Sequence, residues 1–315
     1  CSPGPGQSHA EEALREDDGD ETGTEQEEGL KGMEWLLDKL TFPVFQRVLK
    51  MMAKRKSVGA GGLDVEYLLM AGRSVQKLLY EAIVADMRNG KFDENWKTVI
   101  YVLLVKPAPN NPELLSQRRE IALMAQEMKI MMRCARYIVF DQVRGRVDEA
   151  QLGWLPGYGA ADAAMLLQLA IQQAARQRRA IRILYIDLAT FFPSLQRSET
   201  KAAAMLHGLP EEVVNLSLLV YGIKGGGDGQ GLCKCRWDTA AGLTGAAENW
   251  MGELMGDVMS PTKSKLLLNS VVVAINLVAK GIQLEGTGDS VRGICVTRLM
   301  QVLFGDDWCG VFETD

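Results

Sequence analysis

Three aspartates in this 315-residue chain stand where a metal centre could form. Asp187 ends the apolar run "IRILYID" (181–187), and Asp306 and Asp307 sit side by side within "QVLFGDDWCGVFETD" (301–315). If these runs are neighbouring strands of one sheet, the carboxylates converge at its edge, where a cluster stays ionised only when cations offset the repulsion. Oxygen ligands without histidine or thiolate suit magnesium. Two such ions would do the chemistry of phosphoryl transfer, one activating a hydroxyl nucleophile and the other steadying a leaving pyrophosphate. The competing explanation is that Gly-Asp-Asp is also ordinary turn chemistry, because both residue types tolerate turn geometry.

The elements that must position these acids can be read from periodicity. "TRLMQVLF" (297–304), a tight turn over Gly305, Asp306 and Asp307, and "WCGVFE" (308–313) predict a β-hairpin with acids at its tip. The alanine-rich stretch before residue 180 predicts a helix, entered from a loop with three glycines and a proline and left through the strand 181–187. Upstream, 32–56 is helical with a break near Pro43. Val65, Leu68, Leu69, Val75, Leu78, Leu79, Ile83 and Met87 predict one helix with a buried face. "KTVIYVLLVKP" (97–107) is a strand, and 121–145 a helix whose Met128, Met131, Met132, Ala135, Ile138 and Val139 are core filler. Residues 198–223 are helical, and the glycine-rich 224–245 reads as an irregular excursion. A helix over 260–279 is expected to be capped by Ser260, with Pro261 at its first position and Leu267, Val271, Ala274 and Val278 facing the core.

The apolar fraction of 47% is enough for a large core. The net charge of -5 hides an asymmetry, because residues 11–28 hold ten acids against Arg15 and carry -9, which leaves +4 elsewhere. Residues 1–31 therefore read as a disordered acidic tail, and the mildly basic remainder is compatible with a polyanionic partner. Six scattered cysteines point to a reducing, intracellular setting, and a lone C-x-C (Cys233, Cys235) with two histidines in the chain makes zinc unlikely as a cofactor. The longest apolar run, 266–279, is short for a bilayer and interrupted by Asn269, Ser270 and Asn276, so no membrane association is expected.

Taken together, "YIDLATFFPSL" (185–195), "GDVMSPTKSKLLLN" (256–269) and "LFGDDW" (303–308) resemble, in order and approximate spacing, the three palm motifs of reverse transcriptases of the non-LTR retrotransposon and group II intron branch. "WKTVIYVLLVKPAP" (96–109), "RREIALMAQEMKIMMRC" (118–134) and "QLGWLPGYGAADA" (151–163) are similar to that branch's fingers segments, so the resemblance spans about residues 57–315. It implies an RNA-directed DNA polymerase that uses two Mg²⁺ ions, or Mn²⁺ in their place, to add dNTPs to a DNA primer 3′-hydroxyl on an RNA template. It further implies that Asp187 and Asp306 bind the metals, with Asp307 completing the cluster. Phe192 would exclude a ribose 2′-hydroxyl, though neighbouring Phe191 has an equal claim to a packing role. Gly256, Ser260 and Pro261 would lie against the nascent base pair and template, and Lys106 and Arg119 would neutralise the incoming triphosphate.

Three positions depart from the family pattern. Met255 stands where a glutamine is usual, Gly305 where alanine precedes the paired aspartates, and Glu120 where proline follows the arginine. The G-D-D turn also suggests RNA-directed RNA synthesis, but Asp187 has no second acid a few residues on, and Phe192 stands there instead. A third alternative is a non-catalytic RNA-binding relic. The expected fold is α+β, with helical fingers over 32–180 and, over 181–315, a palm made of a small antiparallel sheet backed by helices. A thumb is expected to be missing from these residues, with weak processive synthesis as the consequence. The resemblance places the protein inside the cell, and in the nucleus if the element is eukaryotic.

Overall fold

The computed structural model describes residues 33–89, 92–93, 95–107, 114, 117–219, 221, 233–249, 252–278, 282–283, 298–299, 301–304 and 307–313. The acidic tail and the Gly305–Asp306 turn lie outside the described residues. The fold is mixed α+β, with a five-stranded mixed sheet and a three-stranded antiparallel sheet among its helices.

Helices α1 (Met33–Lys39) and α2 (Phe42–Met51) are separated at Leu40–Thr41, with Pro43 in the first turn of α2, where its missing N–H has no helical partner to lose. The helix expected across 65–87 is two helices, α3 (Val65–Met70) and α4 (Arg73–Asn89). Ala71 is extended and Gly72 follows, so the apolar stripe changes direction there. Ile83 and Met87 are buried as expected, whereas Val75 and Leu78 are exposed. Helix α5 (Gln126–Arg144) buries its methionine stripe against α2. The residues before it do not begin a helix: Arg118–Leu123 form strand β2, antiparallel to β1 (Thr98–Val105).

Residues 224–245 correct a second expectation. Cys233–Thr239 form β4, which pairs parallel with β1 and is flanked by the short strands β5 (Gly242–Leu243) and β6 (Ala247–Asn249). Alternation carries the strand: Cys235 is buried, and Trp237 stacks on Tyr101, its partner across the pair, with ring centroids 5.5 Å apart. The five-stranded sheet thus draws β1 and β2 from before residue 180 and β4 to β6 from after it, and the region expected to be helical fingers contains a sheet.

The three-stranded sheet has the order β3 (Ile181–Asp187), β10 (Asp307–Glu313), β9 (Gln301–Phe304), antiparallel throughout. Helix α6 (Ala160–Arg176) backs it, placing Leu166, Ala170 and Ala174 against Val302, Cys309 and Val311. Between β3 and β4 come α7 (Phe191–Ser194), α8 (Arg197–Leu206) and α9 (Glu211–Leu219). The short strands β7 (Ile282–Gln283) and β8 (Arg298–Leu299) pair with each other.

Helix α10 (Ser260–Val278) packs on α8 with the reverse of its expected orientation. Its buried residues include Lys263, Ser264, Lys265, Leu266, Asn269 and Val272, whereas Val271 and Val278 are exposed. The polar face goes inward because partners are waiting for it. Asn269 donates to the Arg146 carbonyl and accepts from the Asp148 N–H, and Asn276 donates to Asp148 Oδ2. Among the described residues no helix is long and apolar enough to cross a membrane.

Candidate active site at the sheet edge

Strand β3 owes its direction to the β-branched and aromatic residues of "IRILYID", and its last residue carries the first acid. In the register of β3 with β10, Asp187 is the direct cross-strand partner of Asp307. Directly opposed residues of an antiparallel pair have Cα atoms about 4.5–5.5 Å apart. Both side chains are exposed. On the other side of β10, Asp307 opposes Phe304, so β9 and β10 are joined by two residues, Gly305 and Asp306. Asp307 is therefore the first residue of a strand, where a turn residue was expected. Asp306, although adjacent to it in the chain, lies outside the described residues. Among the described residues no group of three or more His, Cys, Asp or Glu forms a metal cluster.

Two connections hold this edge. Trp308 Nε1 donates to Gln301 Oε1 (2.8 Å), and Gln301 Nε2 donates to the Val272 carbonyl and Asn276 Oδ1 of α10. The Gln151-Leu152-Gly153 segment adds to the free edge of β9, with a parallel bridge from Gln151 to Leu303 and the Leu152 N–H donating to the Leu303 carbonyl at 2.9 Å. The next residue, Trp154, has φ +56° and stacks on Phe191 while meeting Phe192 at 5.6 Å between ring centroids. Sequence reasoning included Trp154 in a motif without giving it a role. Its function in the fold is to brace α7, which begins four residues beyond Asp187.

The two phenylalanines of α7 differ in burial. Phe191 is buried and Phe192 is half-buried, so Phe192 is the ring that remains partly accessible. The Phe192 carbonyl accepts from the Glu253 N–H (2.8 Å), which joins α7 to the loop 252–257. That loop also reaches β2, where the Ala122 N–H donates to the Met255 carbonyl at 2.7 Å. Gly256 follows with φ +124°, and a Cβ there would lie 2.4 Å from the Ala122 carbonyl oxygen. The backbone of strand β2 therefore packs directly on Gly256. Gly256→Ala is expected to destabilise the fold by about 2–3 kcal/mol, from the positive φ and the contact together, which urea unfolding would measure.

Ser260 does not cap α10 with its hydroxyl. Asp257 does so, accepting from the Met259 N–H (3.2 Å) and the Ser260 N–H (3.1 Å). The Ser260 hydroxyl instead enters a buried polar cluster beneath the loop, 2.9 Å from both Glu253 Oε2 and Asp257 Oδ2. The Tyr221 hydroxyl donates to Glu253 Oε2 (2.7 Å), and the Thr200 hydroxyl donates to Glu253 Oε1 (2.9 Å). Lys263 Nζ stands 2.8 Å from Glu253 Oε2, a buried ion pair. Arg197 lies over the Tyr221 ring, 4.3 Å from its centroid. Burial raises the Glu253 carboxyl, but Lys263 and the hydroxyl donors outweigh it and leave it below the ordinary carboxylate value. Asp257 goes the other way: burial dominates, the Glu253 charge adds to it, and its carboxyl is held above the usual value. Pro261, half-buried, follows Ser260 in the first turn of α10.

Lys106 and Arg119 come from the β1–β2 ribbon. Arg119 is the cross-strand partner of Leu104, and the Lys106 N–H donates to the Gln117 carbonyl just beyond the last ladder pair. Period-two alternation places both side chains on one face of the ribbon, diagonal to each other. Glu120 opposes Leu103 and therefore points to the opposite face from Arg119, which separates the acid from the cation beside it in sequence. The ribbon connects to α7 through the 252–257 loop, so the phenylalanine, the glycine and the paired cations belong to one connected framework.

Compared with models of known protein families and with curated proteins, the chain shows no significant match.

Proposed function

We propose that this chain is a reverse transcriptase palm and fingers, an RNA-directed DNA polymerase in which Asp187, Asp306 and Asp307 hold two magnesium ions and an RNA template directs dNTP addition to a primer. The observation that supports the reading is the register of β3 with β10, which brings two acids 120 residues apart in sequence to opposite positions at one sheet edge. Like charges directly opposed across a strand pair repel, and a divalent cation shared between them is the arrangement that relieves this. The different burial of Phe191 and Phe192 favours a DNA product, because the partly accessible ring is the one that the resemblance matches to the sugar-discriminating aromatic.

The test is primer extension by the full chain on an RNA template in Mg²⁺ or Mn²⁺, comparing dNTP with NTP incorporation. Extension with dNTPs that disappears on chelation supports the reading. Preference for NTPs, or extension unaffected by loss of Asp187, overturns it. In the same assay Phe192→Ala is expected to lower the preference for dNTPs over NTPs by about tenfold or more, since an accessible edge no longer excludes the 2′-hydroxyl.

A further inference from the structure

Helix α5 carries Lys129, Arg133, Arg136 and Arg144 at steps of four, three and eight residues, one stripe along its length, and neither Glu127 nor Asp141 falls on that stripe. Where the stripe meets the first turns of α10 there is a narrow cavity with an interior void of about 20 Å³. Its walls are largely apolar, formed by Val139, Phe140, Val143 and Leu155 among others; Arg136, Arg144 and Lys265 are the cations in the lining, and among the described residues no acid lines it. Lys265 is only 4% exposed, and its Nζ has no hydrogen-bond partner among the described residues. A buried ammonium in that condition is costly, since desolvation is not repaid by any paired group. Burial first, and then the Arg136 guanidinium, push the Lys265 amine down to about 7. Burial likewise lowers Lys129, Arg133 and Arg136. Among the described residues the acid whose charge acts on Arg136 is Asp257, which is itself engaged by the start of α10.

A void of this size accommodates about one water-sized atom. We propose that the cavity between α5 and α10 is an oxyanion site, in which Lys265 and Arg136 receive one oxygen of a phosphate group and Arg144 flanks the mouth. The inference does not depend on polymerase activity: a site of this kind would serve a free phosphate, a phosphomonoester or a phosphodiester by the same charge-assisted hydrogen bonds.

The test is thermal melting of the purified full chain at neutral pH, with ionic strength held constant by sodium chloride, in two arms: inorganic phosphate, and a single-stranded RNA oligonucleotide without terminal phosphates. A saturable rise in melting temperature with phosphate assigns a free phosphate or monoester. A rise with RNA while phosphate is silent assigns a phosphodiester. In either case Lys265→Met is expected to weaken the half-saturating concentration by about tenfold or more, the loss of one hydrogen bond to a charged group. Arg136→Gln should do the same, and serves if the first variant does not fold. No rise in either arm, or the same rise in both variants as in the parent, overturns the proposal.

Discussion

Lys263→Met is expected to destabilise the protein by about 3–5 kcal/mol, the cost of leaving one member of a buried ion pair without the other. Lys263 and Glu253 are almost wholly buried at 2.8 Å, and the charge on Glu253 would remain with only the Tyr221, Thr200 and Ser260 hydroxyls as donors. Because the folded carboxyl of Glu253 lies below its ordinary value of 4.5, its contribution in the parent is complete above that value and is lost as the pH falls through the lower folded one. In the variant the sign reverses. Without Lys263 the buried carboxyl prefers to be neutral, so the deficit relative to the parent should shrink as the solution is acidified. Urea unfolding of both proteins across the acid range measures this. A double replacement, Lys263→Met with Glu253→Gln, should recover most of the loss, since it removes both charges. Such recovery would separate a stranded charge from simple loss of packing.

Asp187→Asn is expected to reduce metal-dependent primer extension by about a thousandfold or more, while leaving stability nearly unchanged. The substitution keeps the shape of the side chain and removes the charge that would hold a metal ion, and stabilisation of transition-state charge by such an ion is worth several kcal/mol. Asp187 is exposed at a strand end, so the fold loses little with it. As asparagine it no longer repels Asp307 across the strand pair, and an unchanged or slightly raised melting temperature beside lost extension would distinguish chemistry from structure.

How much was legible in the sequence follows from which interactions are local. Strand β3 and helix α6 are driven by their own periodicity and lie where the pattern puts them, whereas α5 begins at Gln126 rather than at 121 because 118–123 pair with β1, and the first hairpin strand is β9 (Gln301–Phe304) alone, with Arg298–Leu299 pairing with β7. The pairing of β3 with β10 required the further assumption that two distant apolar runs are neighbours, and the register between them follows from which faces meet α6. The failures have a different cause. Strand β4 sits after a run of glycines, and its stability comes from β1, 135 residues earlier at the Thr98–Cys233 starts of the two strands. The inward face of α10 could not be read from hydrophobicity at all. Lys263 and Asn269 are buried because Glu253, Asp148 and the Arg146 carbonyl come to them from other elements, and Lys265 lines a cavity. Asp257 as the cap of α10 was within reach of sequence reasoning, since an aspartate three residues before a Ser-Pro is a capping signal in its own right.

The account turns on whether Asp187 and the Asp306–Asp307 pair bind divalent cations together, and the acidic tail makes bulk metal binding a poor measure of this. Broadening of methyl NMR signals by Mn²⁺ reads the position directly, with Ile186 adjacent to Asp187 as the reporter. In the parent, the Ile186 methyl signals should broaden at low Mn²⁺ concentration, and in Asp187→Asn they should stay sharp until far more metal is added. An Ile186 signal indifferent to Mn²⁺ in the parent, or broadened equally in the variant, would contradict the shared metal site.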